Sequence, residues 1–210
     1  MSEEIAEKDR IVSERIPSIL SDTSFDFSVR GLQKIHFLLF KDLSGRAGEF
    51  RNKFNPRKKE TILWGDSVKY ALDSDIIPLL EEILKKEQEF DYTNLSEDEK
   101  LTHIARFFSD LWRIHPFYDG NTRTTTLFVI KRINQLGFPI TNEPFELNAQ
   151  YYRNALVRSA YESKRIPRDF SFLQQFLINA IKGLPINNLS SESLKIEQRT
   201  LKLSTNHGKR

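Results

Sequence analysis

Apolar residues recur every three or four positions over long stretches of the chain. Residues 28–43 and 74–90 show this spacing and predict amphipathic helices. In residues 96–116, the order Ser96, Glu99 is a capping-box pattern that predicts where a helix begins. The apolar positions that follow have helical period and predict one buried face. They are Ile104, Phe107, Phe108, Leu111 and Trp112.

Turn-forming residues mark where other helices stop. A helix is predicted to begin near Asn121 and to end before Gly137, because glycine is favoured directly after a helix and Pro139 cannot continue one. The remaining predicted helices cover residues 148–163, 168–183 and 191–203, and residues 1–22 are predicted to be a polar helical arm that leads into the domain.

Residues 44–70 break the helical pattern. They contain Gly, Asn, Pro and the basic cluster NPRKKE, followed by the β-prone segment Thr61, Ile62, Leu63 and Trp64. This composition predicts a loop that carries a short hairpin or flap. The expected fold class is therefore mostly α, with about seven helices and one short β-hairpin.

Composition narrows the function classes. The chain has 210 residues, 39% of them apolar, which suffices for a real core. A net charge of +3 is too small to indicate a nucleic-acid partner. Absence of cysteine excludes thiolate metal sites and suits a reducing cytoplasm. No apolar run approaches the ~20 residues that span a bilayer, so no membrane partner is expected.

The stretch HPFYDGNTR, residues 115–123, concentrates polar chemistry in the turn between two predicted helices. The first N–H groups of the second helix lack intrahelical partners, and together with the helix dipole they favour an anion. Gly120 lets the backbone approach that anion closely. Arg123 lies in the first helical turn, where a cation is unfavourable unless its partner is a bound anion.

Asp119 is an acid beside this predicted anion site. A Mg²⁺ ion would reconcile the two, since it commonly takes one or two carboxylates together with substrate phosphates. His115 has a side chain suited to general-base chemistry near neutral pH. These groups together favour transfer of a phosphorus group. A metal site made of His115 and Asp119 alone is an alternative, although Pro116 prevents the helical alignment that such a pair needs.

The same stretch resembles the signature of the Fic family, HxFx(D/E)GNGRxxR. Members of that family typically transfer AMP from ATP to a Ser, Thr or Tyr hydroxyl of a target protein. The resemblance covers roughly residues 25–183 and includes LQKIHFLLFKDLSGRAGEFR, TILWGDSVKYAL and YYRNALVRSAYES. It implies an N-terminal arm over 1–22, a Fic domain over 23–184 and a C-terminal tail over 185–210.

The resemblance implies a role for each position of the motif. His115 would be the general base and Asp119 the Mg²⁺ ligand, while Phe117 would plug the turn into the core. The residues that would hold the ATP phosphates are Gly120, Asn121, Thr122 and Arg123. The flap segment Thr61, Ile62, Leu63 and Trp64 would dock the target protein.

Two positions depart from the family pattern. The usual third glycine is Thr122, and the usual final arginine, which helps to hold the γ-phosphate, is Thr126. Arg158 is a candidate substitute. These departures keep three alternatives open: an enzyme with another nucleotide donor, an enzyme that removes AMP, and a non-catalytic nucleotide-binding or partner-binding module.

The C-terminal tail resembles the inhibitory helix (S/T)xxxE(G/N) of some Fic proteins. Ser193 and Glu197 have the required spacing, although Gln198 replaces the usual Gly or Asn. This resemblance implies a bacterial subclass that is autoinhibited by Glu197. Of the other histidines, His36 is expected in the core and His103 in the early turn of a helix. A surface helix leaves self-association open.

Overall fold

A computed structural model of the chain describes residues 3–53, 58–186 and 193–196. Within these residues the fold is mostly α, as the periodicity predicts. The eight α-helices of the described part are α1 (Glu3–Ser21), α2 (Val29–Phe40), α3 (Ile76–Glu89), α4 (Glu97–Ile114), α5 (Asn121–Gln135), α6 (Glu143–Leu147), α7 (Ala149–Ala160) and α8 (Ser171–Lys182). None of the described helices is long and apolar enough to cross a membrane.

The ends of α4 and α5 follow the local signals in the sequence. The Ser96 N–H donates to Glu99 Oε2 at 2.8 Å, and the Glu99 N–H donates to Ser96 Oγ at 3.3 Å, which completes the capping box. The five apolar residues of the α4 stripe are all buried. Gly137 follows α5 with φ 87, the left-handed geometry of a helix stop.

The chain divides into two compact units that interleave along the sequence. The first, called unit 1 below, comprises the described parts of residues 1–54, 71–90 and 114–142. The second, unit 2, comprises the described parts of 55–70, 91–113 and 143–210. The HPFYDGNTR turn lies entirely in unit 1.

Unit 1 is built around α2, which packs against α1, α3 and α5. The N-terminal helix α1 also contacts α5. The buried Lys131 of α5 fixes the C-terminal end of α1, because its Nζ donates to the carbonyls of Ile19 at 2.8 Å and Asp22 at 2.6 Å. A cation at these carbonyls complements the negative end of the helix dipole. The N-terminal helix is thus an anchored part of unit 1.

Unit 2 contains the packed helices α7 and α8, with α6 against α7. Their core is aromatic: the rings of Tyr152 and Phe176 stack with centroids 5.2 Å apart. Arg153 on α7 makes a nearly buried ion pair with Glu60, with 2.7 Å between its NH2 and Glu60 Oε1. This ion pair fastens the segment that precedes Thr61 to α7.

The predicted hairpin is wrong for the residues that the structure describes. Thr61–Leu63 is a 3-10 turn, and Trp64 after it has the left-handed φ of 52. The Leu63 and Gly65 N–H groups donate to the Glu60 carbonyl, so groups that a hairpin would pair across strands are satisfied locally. Residues 54–57 of the same region lie outside the described part.

Two further elements differ from the sequence-based expectation. The short helix α6 was not predicted, since five residues are too few to show helical period. In the predicted C-terminal helix, residues 193–196 form a turn and a bend instead, and residues 191, 192 and 197–203 lie outside the described part.

Candidate active site

The turn after α4 begins with His115 in a left-handed conformation, φ 53, which is uncommon for a residue with a side chain. Arg51 holds it there. The Arg51 Nε donates to the His115 carbonyl at 2.7 Å, and its NH2 donates to the Ile114 carbonyl at 3.3 Å and the Ala71 carbonyl at 2.5 Å. Arg51 is only 1% exposed, and burial lowers the pKa of its guanidinium. A buried arginine therefore closes the C-terminal end of α4.

The loop after α2 also pairs with the turn through its main chain. The Arg51 N–H donates to the Pro116 carbonyl at 2.9 Å, and Phe50 forms an antiparallel bridge with Phe117. The Phe117 ring is fully buried and lies parallel to the His36 imidazole, with 3.9 Å between centroids. The aromatic side chain thus fastens the middle of the turn to α2.

Asn121, the first residue of α5, closes the turn with its side chain. Its Oδ1 accepts the Phe117 N–H and its Nδ2 donates to the Phe117 carbonyl, both at 2.8 Å. The side chain is buried, so both of its polar ends are used within the protein. Any contact of Asn121 with a ligand would therefore come from its main-chain N–H, which has no partner within the helix.

Gly120 precedes α5 with φ 68 and ψ 5. A Cβ at this position would lie 2.2 Å from Cε2 of Phe40, so only glycine fits. The Gly120 N–H donates to Asp119 Oδ1 at 2.7 Å. A carboxylate oxygen of the neighbouring residue thus lies on the N–H group that immediately precedes α5.

His36 of α2 contacts both the turn and the loop after α2. The Gly48 N–H donates to His36 Nδ1 at 2.8 Å, and His36 Nε2 lies 3.2 Å from the Asp119 carbonyl oxygen. Burial lowers the pKa of His36 to about 4, so the ring is neutral at physiological pH. The expectation of a core position is confirmed: the ring is 4% exposed.

A cavity of about 560 Å³ opens beside the turn and is lined by α1, α2, the loop after α2 and the motif. Its size is in the range of small-molecule and cofactor sites. Three cations line it, Lys8, Arg46 and Arg123, together with the carboxylates of Asp9 and Asp119. Of the motif residues, Tyr118, Asp119 and Arg123 line the cavity. His115 and residues 120–122 are not part of its wall.

Charges in the cavity are already partly paired. Arg123 NH1 donates to Asp9 Oδ1 at 2.8 Å, which links α5 to α1. The Arg46 guanidinium lies 4.2 Å from the centroid of the Tyr118 ring, a cation–π contact. The Tyr118 hydroxyl donates to Asn52 Oδ1 at 2.7 Å. The cavity therefore combines cations with an aromatic face.

Asp119 is the residue most suited to a metal ion. Its side chain is exposed and lines the cavity, and only its Oδ1 has a protein partner in the described part of the chain. No group of three or more His, Cys, Asp or Glu side chains comes together among the described residues. A single carboxylate fits Mg²⁺ that takes its other ligands from phosphates and water.

Thr126 occupies the position of the missing arginine. Its Oγ1 donates to the Thr122 carbonyl at 2.6 Å, a bond to its own helix, and the residue is buried. Arg158, the substitute considered from the sequence, lies in unit 2 with its NH2 3.4 Å from Asp169 Oδ2. The described cavity instead offers Lys8 and Arg46 as further cations.

The segment expected to dock a target contacts the C-terminal tail. The Ile196 N–H donates to the Ile62 carbonyl at 3.2 Å, and the Trp64 Nε1–H donates to the Ile196 carbonyl at 2.7 Å. Ser193 lies in the adjoining described turn. Glu197, the predicted inhibitory residue, lies outside the described residues.

Sequence reasoning missed three residues that build this site: Arg51, Asp9 and His36 in its contact with Asp119. Each acts on a residue far away along the chain; Asp9 and Arg123, for example, are 114 positions apart. Only His36 had a signal in the sequence: it is a polar residue on an apolar helix face, and a buried polar group needs a hydrogen-bond partner.

The comparisons with known proteins agree with this fold. A Fic/DOC family model matches residues 26–131. The structure of BepC from Bartonella tribocorum with bound AMPPNP is similar, with TM-score 0.67 and 17% identity over 84% of this chain and 85% of that one. A VirB-translocated effector from Bartonella quintana with bound ADP gives TM-score 0.66 and 19% identity, and the match covers 84% of each chain.

One curated relative is the ribonucleoside-diphosphate reductase small chain of Ostreid herpesvirus 1 (isolate France). It is 28% identical over 130 residues, which is 58% of this chain and 22% of the viral protein. This chain thus spans about a fifth of the length of that relative. The family model covers half of the chain and includes α2, the turn and most of α5. The chain belongs to the Fic/DOC family.

Proposed function

We propose that this protein is an adenylyltransferase, which transfers AMP from Mg²⁺–ATP to a Ser, Thr or Tyr hydroxyl of a target protein. The single observation that carries the proposal is the start of α5, where the Gly120 N–H already binds a carboxylate oxygen beside a cavity of about 560 Å³. Family membership and the nucleotides bound to two similar structures support it.

The phosphates of ATP would occupy the start of α5. The main-chain N–H groups of Gly120, Asn121 and Thr122 lie at the positive end of the helix dipole, which favours anionic oxygens. Arg123 would neutralise phosphate charge after release from Asp9. Asp119 would turn from the Gly120 N–H to a Mg²⁺ ion, which supplies further charge neutralisation when bound.

The chemistry assigned to His115 is removal of one proton. Its imidazole takes the proton of the target hydroxyl while the hydroxyl oxygen bonds to the α-phosphorus of ATP. The bond from that phosphorus to the bridging oxygen of the β-phosphate breaks, and pyrophosphate leaves. Arg51 contributes indirectly, because it fixes the main chain of His115.

Thr126 favours a second candidate within the same site, a different donor or the removal of AMP. With no arginine at that position, the contact to the γ-phosphate is lost unless another cation supplies it. Lys8 and Arg46 line the cavity and are the cations we assign to the outer phosphates. Comparing ATP, GTP, UTP and CTP as donors separates these possibilities.

Docking and regulation complete the proposal. The turn of Thr61, Ile62, Leu63 and Trp64 would dock the target protein, and the C-terminal tail would restrain activity through Ser193 and Glu197. The contact of Ile196 with Ile62 and Trp64 supports a link between tail and docking segment.

The test is transfer of label from α-³²P-ATP with Mg²⁺, to the protein itself or to proteins of a cell lysate. The Glu197→Gly variant is expected to label more strongly than the unmodified chain. Adding His115→Ala to it should abolish labelling, while the matched substitution His103→Ala leaves labelling intact. Undiminished labelling by folded His115→Ala protein rejects the catalytic role, and equal labelling by Glu197→Gly and the unmodified chain rejects inhibition by the tail.

A further inference from the structure

His36 uses both of its ring nitrogens, and this fixes its proton. The main-chain N–H of Gly48 can only donate, so Nδ1, 2.8 Å away, must be the acceptor. The carbonyl oxygen of Asp119 can only accept, so Nε2, 3.2 Å away, must carry the proton. The ring is 4% exposed and stacked on Phe117, so its two nitrogens face protein groups rather than bulk water.

The Asp119 carbonyl belongs to the same peptide unit as the Gly120 N–H. This unit is planar, and in a trans peptide the two groups point in opposite directions. A hydrogen bond that holds the carbonyl toward His36 therefore turns the Gly120 N–H away from His36. It points at the Asp119 carboxylate, 2.7 Å away, which lines the cavity.

This peptide needs an external restraint. Glycine has access to both signs of φ, so a peptide unit that ends at Gly120 can rotate more easily than others. Rotation by half a turn would replace the N–H donor by a carbonyl oxygen, which repels an anion. The Gly120 N–H bond to Asp119 Oδ1 also holds the peptide, but a bound phosphate would replace it. The Phe40 ring leaves no room for a Cβ at Gly120, which limits side-chain size but does not orient the peptide.

We propose that His36 is a positioning residue: its Nε2–H locks the Asp119–Gly120 peptide in the orientation that offers an N–H to the nucleotide phosphate. This inference rests on the proposed nucleotide site and extends it to a residue outside the HPFYDGNTR motif. The contact with Gly48 holds the ring in the tautomer that the lock requires.

The substitutions His36→Gln and His36→Asn separate the two contacts. A glutamine amide extends as far as Nε2 and can still donate to the Asp119 carbonyl. An asparagine amide extends only as far as Nδ1 and can accept from Gly48 but not donate to Asp119. Both variants lose the stacked ring, so a purely structural role would lower the melting temperature of both and leave their affinity for nucleotide alike.

The experiment measures Mg²⁺–ADP affinity by calorimetry and the Gly120 amide resonance by NMR on the full chain. We expect His36→Gln to retain affinity within about threefold and a Gly120 resonance close to the native one. His36→Asn should bind roughly three- to tenfold more weakly, the effect of one lost hydrogen bond, with a displaced Gly120 resonance. Equal affinities of the two variants would overturn the inference.

The unmodified protein supplies an independent decision. Long-range ¹⁵N–¹H spectra of the His36 ring should show the proton on Nε2, and a proton on Nδ1 overturns the inference even where His36→Asn fails to fold. Absence of Mg²⁺–ADP binding by the unmodified chain would refute the proposed function instead. In that event the Gly120 resonance of the two variants still decides whether His36 orients the peptide.

Discussion

Asp9 of α1 holds Arg123 of α5 in an ion pair, with 2.8 Å between Asp9 Oδ1 and the Arg123 NH1. The arginine that the family motif assigns to phosphate is therefore engaged by a carboxylate of the same chain. Both side chains are partly exposed, at 54% and 38%, so the pair is weak. Under the proposed function, a nucleotide phosphate would replace Asp9.

Removing this competitor should strengthen nucleotide binding. Asp9→Asn leaves Arg123 available and is expected to lower the Kd for Mg²⁺–ADP by roughly two- to fivefold, the scale of an exposed ion pair. Calorimetry measures this Kd. Glu7→Gln is the matched control, because Glu7 pairs with Arg10 on the same helix and outside the cavity wall. An unchanged Kd in Asp9→Asn would show that the ion pair does not compete with phosphate.

Gly120→Ala should destabilise the protein by more than the usual cost of placing an alanine in a left-handed backbone conformation. The new Cβ would lie 2.2 Å from the Phe40 ring. Gly137→Ala is the matched control, since Gly137 also has positive φ but no atom within 4 Å of the new Cβ. We expect about 1–2 kcal/mol for Gly137→Ala and a larger loss for Gly120→Ala, measured by urea unfolding. Equal losses would contradict the close packing of Phe40 on the turn.

Arg51→Lys should disturb the position of His115. A lysine ammonium cannot replace the planar guanidinium that reaches the carbonyls of Ile114, His115 and Ala71. The expected result is a stability loss of at least ~2 kcal/mol together with a fall in kcat for AMP transfer.

The control for Arg51 is Arg15→Lys. Arg15 also donates to carbonyls, those of Leu39 and Lys41, but none of them belongs to the turn. Its loss should lower stability and leave kcat and the Kd for Mg²⁺–ADP unchanged. A parallel fall of kcat in both variants would mean that the effect of Arg51 is general destabilisation.

Asn121→Asp should destabilise the turn, although the new side chain has the same size as asparagine. The carboxylate can still accept the Phe117 N–H, but it faces the Phe117 carbonyl with no donor, where Asn121 Nδ2 now donates at 2.8 Å. Because the site is buried, we expect a stability loss of about 1–3 kcal/mol at neutral pH and weaker Mg²⁺–ADP binding. Native stability in this variant would show that the two bonds of the Asn121 side chain to Phe117 do not stabilise the turn.

Local signals in the sequence explain what could be predicted. The capping box of Ser96 and Glu99, the apolar stripe of α4 and the Gly137 stop depend on residues three to five positions apart, so they are visible in the sequence. The motif turn between α4 and α5 was visible for the same reason. The β-prone composition of Thr61–Trp64 was misleading, because the Glu60 carbonyl closes a local turn there.

Long-range contacts explain what could not be predicted. His36 and Asp119 are 83 positions apart, and Arg51 and His115 are 64 apart. Neither pair has a sequence pattern that links its members. The N-terminal helix is similar: its polar composition indicated an arm, whereas Lys131 and Arg123 of α5 attach it to unit 1.

The central claim is that the start of α5 binds the phosphates of a nucleotide. Crystals soaked with Mg²⁺ and AMPPNP test it most directly. The account predicts phosphate oxygens within hydrogen-bond distance of the Gly120 and Thr122 N–H groups, the Asp9–Arg123 pair broken and Asp119 turned to the metal. Nucleotide density elsewhere, with the start of α5 still closed by the Asp119 carboxylate at saturating AMPPNP, would contradict it.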